Sequence, residues 1–201
     1  MISIIDLGIG NINSVTKVLD CLKTEYKLVS KPSDLTAVSK LIFPGVGNFR
    51  SASMKLEKSG LKDPLKMIIN SGVPFLGICL GMQLLAEKGE EGGDHLGLGV
   101  IKANVKKMVI PYKLSLPHIG WNSIEVGSAK LFEGIPNGSD FYFVHSYAMD
   151  VTDEKVLVCH TEYGSKVVAY IERDNVFGAQ FHPEKSQRFG MKFIENFINL
   201  C

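Results

Sequence analysis

The feature of this sequence with the clearest chemical potential is a cysteine between two glycines at the end of an apolar run. Phe75–Ile78 leads into Cys79 through Gly77, and Leu80–Gly81 follow before a helical pattern begins. Gly-x-Cys-x-Gly is the cysteine counterpart of a nucleophile elbow, a sharp strand-to-helix turn that exposes the nucleophile. The glycines avoid clashes at such a turn, and the positive end of a following helix lowers a thiol's pKa. The segment therefore predicts Cys79 as a nucleophile.

A thiol nucleophile needs a base for its proton and a group that orients the base. The segment Phe181–Glu184 (FHPE) supplies both residue types directly after the strand candidate Val176–Gln180. If this strand lies beside the one before Cys79, one ring nitrogen of His182 faces the sulfur and Glu184 accepts from the other. In isolation the segment would be an ordinary polar turn. Together with the elbow it predicts the triad Cys79, His182 and Glu184.

Two backbone segments are candidates for the oxyanion hole that a tetrahedral intermediate requires. One is the N–H of Leu80, at the start of the helix after the nucleophile. The other is Pro44–Gly47 (PGVG), a turn after a third strand candidate, whose glycines let the backbone approach a ligand. Without a nucleophile nearby, Pro44–Gly47 would be a plain turn.

The composition is that of a globular protein without a strong charge bias. The 201 residues are 45% hydrophobic and 21% charged, with a formal net charge of +1. This balance gives no electrostatic reason to expect nucleic acid or an anionic membrane as a partner. No apolar run approaches the ~20 residues that span a bilayer, and the N-terminus lacks the basic region of a signal peptide. We therefore expect a cytoplasmic location.

The remaining cysteines give no sign of a metal site or a disulfide. Cys21, Cys79, Cys159 and Cys201 form no CxxC pair and no Cys/His ligand cluster. In a reducing compartment they are expected to be free thiols, and most free cysteines act as small buried hydrophobes. We expect no metal and no cofactor.

The elements that position these residues alternate between strand and helix in the first half of the chain. Such alternation predicts a parallel sheet that helices cover on both faces. The strand candidates are Ser3–Asp6, Tyr26–Val29, Lys40–Phe43 and Phe75–Ile78, and the helical patterns are Val15–Leu22, Leu56–Ile69 with a break near Gly60, and Leu80–Glu87.

The second half has short strand-like runs that lie close together between turn residues. These runs are Val100–Met108, Phe141–His145, Val156–His160, Val167–Ile171 and Val176–Gln180. We expect them to extend the sheet with antiparallel strands. A last helix carries Met191, Ile194, Phe197 and Ile198 on one face, which predicts that this face packs on the core. The expected architecture is a single α/β domain over residues 1–201, with a central mixed, mainly parallel sheet.

Taken together, the motifs resemble those of the class I, or triad-type, glutamine amidotransferases. The match rests on Gly77–Gln83 (GICLGMQ), Pro44–Gly47 and His182–Ser186 (HPEKS). Within that family the chain is most similar to glutaminase subunits of imidazole glycerol phosphate synthase, over residues 1–201, through Gly8–Val15, Pro117–Asn122 and Tyr142–Tyr147.

This resemblance implies a flavodoxin-like three-layer sandwich and glutamine as the substrate. It also implies a heterodimer with a (β/α)8-barrel cyclase subunit. That subunit receives the ammonia and makes imidazole glycerol phosphate and AICAR (the aminoimidazole carboxamide ribonucleotide by-product) in histidine biosynthesis. In this family a ligand of the partner stimulates the glutaminase, and reorientation of the Pro44–Gly47 backbone is the proposed switch. We therefore expect low basal activity.

The resemblance also implies roles for individual residues. The predicted glutamine contacts are Gly47, Gln83, His145, Ser146 and Tyr147, the predicted oxyanion residues are Val46, Leu80 and Gly45, and the predicted partner contacts are Trp121, Gly120 and Asn122. From the residue types alone, Trp121 would be expected in the core, because a lone tryptophan is more often a core residue than an interface residue. The stretch that carries it after Pro117 looks like a loop.

Three alternatives remain open. Paralogous glutaminases of surface-glycan biosynthesis supply ammonia to an ATP-dependent amidotransferase that acts on a nucleotide sugar. Gln187–Met191 looks similar to those paralogues, and Ala86–Gly93 departs from the usual pattern of the histidine pathway. A cysteine peptidase or deglycase on a similar fold is disfavoured by Glu184, two residues after the histidine, and by Pro44–Gly47. A scaffold that has lost activity is disfavoured by the intact triad.

Overall fold

The computed structural model describes residues 1–111 and 113–201, and its strands form one large sheet and two small ones. The strands are β1 (Ile2–Ile5), β2 (Tyr26–Val29), β3 (Leu41–Gly45), β4 (Phe75–Cys79), β5 (Lys88–Gly89), β6 (His95–Leu96), β7 (Ala103–Lys107), β8 (His118–Ser123), β9 (Asp140–His145), β10 (Tyr147–Val151), β11 (Leu157–Glu162), β12 (Lys166–Arg173) and β13 (Val176–Ala179). The helices are α1 (Ile12–Cys21), α2 (Phe49–Lys58), α3 (Lys62–Asn70), α4 (Leu80–Gln83) and α5 (Gln187–Leu200).

The large sheet has seven strands in the order β11-β12-β13-β4-β3-β1-β2. The pairs from β13 to β2 are all parallel, whereas β11 and β12 pair antiparallel at one edge. The predicted mixed, mainly parallel sheet is therefore confirmed. Parallel strands need crossover connections, and the helices that supply these connections cover the faces of the sheet.

Helices cover both faces of the large sheet, and the strands alternate their side chains between the two cores. Ile4 packs in a cluster with Val15 of α1 and Phe193 of α5. The next residue, Ile5, packs in the other cluster with Leu56 of α2 and Leu65 of α3. This alternation follows from the two-residue period of a strand. The predicted break near Gly60 separates α2 from α3, although α2 begins earlier than the pattern indicated, at Phe49.

The predicted helix Leu80–Glu87 is wrong in length, because α4 ends at Gln83. The carbonyl groups of the following residues are engaged by a later part of the chain. Leu98 N–H donates to the oxygen of Leu84, and Gly99 N–H donates to the oxygen of Ala86. The N–H of Glu87, which a helix to Glu87 would direct to the oxygen of Gln83, donates instead to the oxygen of Ala103.

The second half departs from the prediction that all its strands extend the large sheet. β11, β12 and β13 do join it. β7 instead belongs to a four-stranded sheet in the order β10-β7-β5-β6, and β9 pairs with β8 in a separate two-stranded sheet. The segment around Trp121 is strand β8 rather than a loop.

The predicted core face of the last helix is correct except at its first position. Ile194 and Phe197 of α5 are fully buried, whereas Met191 is 39% exposed. Phe193, which the prediction omitted, is buried on the same face. No helix in the described ranges combines the length and the apolar character needed to cross a membrane.

Candidate active site

Three neighbouring parallel strands end together and bring the predicted site residues to one edge of the sheet. Gly45 at the end of β3 is in register with Cys79 at the end of β4. On the other side of β4, Ala179 of β13 is in register with Ile78. Gln180 and His182, just beyond β13, therefore lie beside Cys79. Ligands bind at this carboxyl edge in open α/β sheets.

Cys79 has the backbone conformation of a nucleophile elbow. Its φ and ψ are 53° and −108°, a region that non-glycine residues rarely adopt. The flanking glycines permit this turn by close packing: a Cβ atom on Gly81 would collide with the carbonyl oxygen of Phe43, and one on Gly77 would lie 2.6 Å from the backbone of Gly81. A strained conformation held by such tight surroundings is a frequent property of functional sites.

His182 is buried between Cys79 and Glu184. Its Nδ1 lies 2.8 Å from Oε1 of Glu184, and the two side chains are only 1% and 2% exposed. Because a carboxylate only accepts hydrogen bonds, Nδ1 carries a proton. The buried Nε2 makes no standard hydrogen bond. It is nevertheless close enough to Cys79 for the thiol to influence its protonation.

The protonated form of His182 is favoured in this environment. Burial alone would lower the pKa of His182, but hydrogen bonding and negative charge from Cys79 and Glu184 outweigh burial and raise it to about 10. The same surroundings therefore favour an imidazolium beside the sulfur of Cys79. A cation next to a cysteine nucleophile stabilises its reactive thiolate form.

The backbone of the His182 turn is fixed to strand β9. His182 N–H donates to the carbonyl oxygen of Tyr142 at 2.8 Å. The hydroxyl of Ser186 donates to the carbonyl oxygen of His182 at 2.6 Å and accepts from the N–H of Tyr142 at 3.0 Å. The imidazole is therefore held from both its ring and its main chain.

A cleft of about 130 Å³ opens above Cys79. The predicted nucleophile, base, oxyanion and substrate residues that line it are Val46, Gly47, Cys79, Leu80, Gln83, His145, Ser146, Tyr147 and His182. Glu184 lies behind His182, and Gly45 lies behind the oxyanion segment, where a Cβ atom would be 3.0 Å from Cβ of Leu80. The structure thus brings together residues from β3, α4, β9 and the turn after β13.

Glu91 also lines this cleft, and no pattern in the sequence pointed to it. Its Oε2 accepts a 2.7 Å hydrogen bond from the N–H of Phe49, the first residue of α2. This long-range contact with α2 positions the carboxylate at the cleft, which is why the residues around Glu91 do not indicate its place. A carboxylate here gives the cleft an acceptor for a cationic group.

The predicted oxyanion donor Val46 is engaged elsewhere in this conformation. Its N–H donates a 2.6 Å hydrogen bond to the carbonyl oxygen of Ile9. Gly47, the next residue, has a φ of +106°, which favours glycine, and no atom would contact a Cβ there. The backbone on this side of the cleft thus has free space beside it, unlike the tightly packed elbow at Cys79.

Buried histidines extend from the cleft toward strand β8. His145 Nδ1 lies 2.9 Å from the carbonyl oxygen of Tyr147, and its Nε2 lies 3.1 Å from Nδ1 of His118. Burial lowers the pKa of each histidine to about 4, so both rings are neutral near pH 7. Asn122 reaches the far nitrogen of His118 at 3.4 Å and donates to the carbonyl oxygen of Glu162 at 2.8 Å.

The predicted partner residues lie on β8, apart from the cleft above Cys79. Trp121 is 48% exposed and its ring meets the edge of Tyr142, so it is a surface residue and not a core one. Ile119 on the same strand is 59% exposed. A second cleft of about 640 Å³ runs from Trp121 to Arg188 and Phe189. Asn122, by contrast, uses its side chain for internal hydrogen bonds.

Residues 1–111 and 113–201 contain no group of three or more His, Cys, Asp or Glu side chains that could hold a metal ion. The groups at the cleft include the thiol of Cys79, the imidazole of His182 and the main chain of Leu80. A thiolate beside an imidazolium, together with N–H donors at the start of α4, is the set of groups that acyl transfer requires.

Comparison with known proteins identifies the family of this chain. The model of the glutamine amidotransferase class-I family matches residues 3–200. The chain is 49% identical over 201 residues to the imidazole glycerol phosphate synthase subunit HisH of Methanocaldococcus jannaschii, and the match covers 100% of both chains. It is 47% identical over 198 residues to the subunit of the same name from Desulfitobacterium hafniense (strain Y51), covering 98% of this chain and 93% of the relative.

Solved structures agree on the fold. A crystal structure of a glutamine amidotransferase has a TM-score of 0.78 at 22% identity, covering 99% of this chain and 97% of the other. The crystal structure of a glutamine amidotransferase from Thermotoga maritima has a TM-score of 0.64 at 19% identity, covering 99% and 82%. The predicted fold class and the predicted glutamine amidotransferase are confirmed, and the chain belongs to the class I glutamine amidotransferase family.

Proposed function

We propose that the chain is the glutaminase subunit of an imidazole glycerol phosphate synthase. It hydrolyses glutamine to glutamate and ammonia with the triad Cys79, His182 and Glu184. It passes the ammonia to a (β/α)8-barrel cyclase subunit that makes imidazole glycerol phosphate and AICAR in histidine biosynthesis. The observation that carries the chemistry is the register of β3, β4 and β13, which sets Cys79 beside His182 in one cleft. The observation that favours this pathway is the name shared by the relatives at 45–49% identity.

Each residue of the triad has a separate role in the proposed reaction. His182 takes the proton of Cys79, and the sulfur attacks the side-chain amide carbon of glutamine. His182 then gives the proton to the leaving nitrogen, so ammonia departs and a glutamyl thioester remains. A water molecule, deprotonated by the same imidazole, attacks the thioester and releases glutamate. Glu184 holds the ring through its 2.8 Å hydrogen bond and favours the imidazolium that forms.

The cleft supplies groups that suit glutamine. Gly47, Gln83, His145, Ser146 and Tyr147 form its walls around the sulfur, and Glu91 adds a carboxylate that can accept from an ammonium group. A volume of about 130 Å³ suits an amino acid better than an extended peptide. This size, together with the family, disfavours a peptidase.

The oxyanion hole of this proposal consists of the N–H groups of Leu80 and Val46. Leu80 begins α4 directly after the nucleophile. Val46 has its N–H committed to Ile9, so the Pro44–Gly47 backbone must reorient before both donors can meet the oxyanion. We infer that the isolated chain has low glutaminase activity and that docking of the partner favours the reoriented backbone.

The nucleophile is tested by Cys79→Ala in the complex with the cyclase subunit. The variant is expected to release no ammonia from glutamine above background, while its circular dichroism and its binding to the cyclase stay unchanged. Full glutaminase activity of Cys79→Ala would overturn the triad. The matched control is Cys21→Ala, which removes an exposed thiol outside the cleft and should retain activity.

The partner is tested by binding to two purified proteins, the (β/α)8-barrel cyclase and an ATP-dependent amidotransferase of nucleotide-sugar biosynthesis. Stimulation of glutamine hydrolysis by the cyclase and its ligand supports the histidine pathway. Stimulation by the second protein alone would overturn that pathway and leave the glutaminase chemistry intact.

A further inference from the structure

One polar side chain next to the nucleophile has no role in the triad. Gln180 follows β13 directly and is fully buried, without access to the cleft above Cys79. Its Nε2 lies 3.6 Å from Sγ of Cys79, a normal distance for an N–H donor and a sulfur acceptor. The main-chain N–H of Gln180 donates to the carbonyl oxygen of Ala169 at 2.9 Å. This hydrogen bond fixes the backbone from which the side chain projects.

A main-chain carbonyl determines which end of the Gln180 amide faces the sulfur. Gln83 lies 3.0 Å from the carbonyl oxygen of Tyr147, which can only accept, so the group at that position must be Nε2 of Gln83. The second hydrogen of this Nε2 points at Gln180 at 2.9 Å, so Gln180 must present its Oε1 there. Consequently the N–H group of Gln180 faces Cys79. The reversed amide would set two donors against each other.

We propose that Gln180 is a catalytic residue that donates a hydrogen bond to the sulfur of Cys79 and stabilises its thiolate form. The proposal deepens the proposed glutaminase function and rests on it for the reaction. An N–H donor favours the charged over the neutral form of its acceptor. Gln83 has two roles in this arrangement. It lines the cleft, and its side chain holds the amide of Gln180 in the orientation that donates to the sulfur.

The location of Gln180 separates its effect from substrate binding. Gln83 lines the cleft, whereas Gln180 does not. Loss of the Gln180 donor should therefore lower kcat for glutamine hydrolysis about tenfold with little change in KM. Loss of Gln83 should change KM as well.

The first test uses Gln180→Met, which retains the length of the side chain and removes the donor, and Gln180→Glu, which retains an acceptor for Gln83 and replaces the donor by an oxygen. The rate at which iodoacetamide alkylates Cys79 is followed against pH in the full chain by peptide mass spectrometry. We expect the pH midpoint of alkylation to rise by about one pH unit or more in both variants. Unchanged midpoints in folded Gln180→Met and Gln180→Glu would overturn the proposal.

Asn196→Leu is the matched control for loss of a buried amide. Asn196 is buried in α5 and donates to the carbonyl oxygens of Leu131 and Glu133, away from the cleft. The substitution should lower thermal stability without moving the alkylation midpoint of Cys79. An equal rise of the midpoint in Asn196→Leu would show a general structural effect and would also overturn the proposal.

Gln83→Met keeps the proposal testable if both Gln180 variants fail to fold. It removes the donor that orients Gln180, so the alkylation midpoint should rise here too, and an unchanged midpoint would count against the proposal. Iodoacetamide does not require the glutamine site. A shift of the midpoint in a chain that fails to hydrolyse glutamine with either partner would therefore overturn the proposed function alone.

Discussion

The N–H of Val46 donates to the carbonyl oxygen of Ile9 at 2.6 Å, and this bond withholds from the cleft one of the two donors assigned to its oxyanion hole. The turn that carries Ile9 lies directly against the Pro44–Gly47 segment, since a Cβ atom on Gly10 would be 2.8 Å from the oxygen of Pro44. The Cys79 side of the cleft is tightly packed, whereas on the other side the N–H of Val46 is bonded to Ile9 and open space lies beside Gly47.

Replacement of Val46 by proline tests the role of its N–H. Val46→Pro removes the donor, so the partner-stimulated kcat for glutamine hydrolysis should fall about 10²-fold, the usual effect of losing one oxyanion donor. The basal kcat should change much less, because the Val46 N–H is not available in the resting conformation. Steady-state assays of ammonia release with and without the cyclase measure both values.

Val46→Ala is the control for this experiment, because it keeps the N–H and removes only the exposed side chain. It should retain the stimulated kcat within about threefold. Equal losses of basal and stimulated activity in Val46→Pro would contradict a role for Val46 that depends on reorientation.

Glu184→Gln tests whether the carboxylate orients and charges the imidazole. The amide keeps the size of the side chain but removes the negative charge that helps raise the pKa of His182. We expect kcat to fall on the order of 10²–10⁴-fold, by analogy with triads that lose their orienting carboxylate. KM for glutamine should stay nearly constant, because Glu184 does not line the cleft. A wild-type kcat in this variant would remove Glu184 from the triad.

The buried pair His118 and His145 predicts that the free energy of unfolding begins to fall at a higher pH than the one at which carboxylates become protonated. Burial lowers the pKa of His118 and of His145 from 6.5 to about 4. Between these two pH values the unfolded chain binds protons that the folded chain excludes, so the free energy of unfolding falls as the pH falls from 6.5 to 4. The slope is at most about 1.4 kcal/mol per pH unit for each histidine.

Urea denaturation at a series of pH values measures this slope. His118→Phe, which can keep the stacking on Phe143 and Tyr163, should flatten it. An unaltered slope in His118→Phe would contradict the assignment.

The exposed ring of Trp121 is expected to contribute to binding of the partner subunit and little to the stability of the fold. Trp121→Ala should change the free energy of unfolding by less than about 0.5 kcal/mol because the ring is half exposed. It should weaken the complex with the cyclase at least about tenfold if Trp121 is an interface anchor. Calorimetric titration of the two subunits measures this. Met67→Ala on α3, where the side chain is 72% exposed, is the control and should bind normally.

The candidate site residues whose meeting can be predicted from the sequence are those whose position follows from a strand end. The pattern around Cys79 predicts a turn at the carboxyl edge of a parallel sheet, and FHPE directly follows a second strand, so their meeting requires only that the strands be neighbours. The pairing of β4 with β13 meets that condition. The fold class follows from the same alternation of strands and helices.

The residues in and behind the cleft that the sequence did not reveal depend on contacts between distant segments. Glu91 reaches the cleft because α2 offers it a free N–H at Phe49. Gln180 looked like the last residue of a strand, and its orientation depends on the Tyr147 carbonyl through Gln83. The early end of α4 has the same cause, since the N–H of Glu87 donates to the distant Ala103 instead of to Gln83.

Several of the atoms that organise the cleft belong to the main chain, namely the N–H of Val46 and the carbonyl oxygens of Ile9 and Tyr147. Among substitutions only proline deletes one of these atoms, because it lacks the main-chain N–H. Mutational drift at Ile9 should therefore be tolerated as long as the path of the backbone is kept, whereas proline at position 46 should be rejected. Substitutions beside the cleft can thus leave these hydrogen bonds in place, because the bonds depend on the course of the chain rather than on the identity of a side chain.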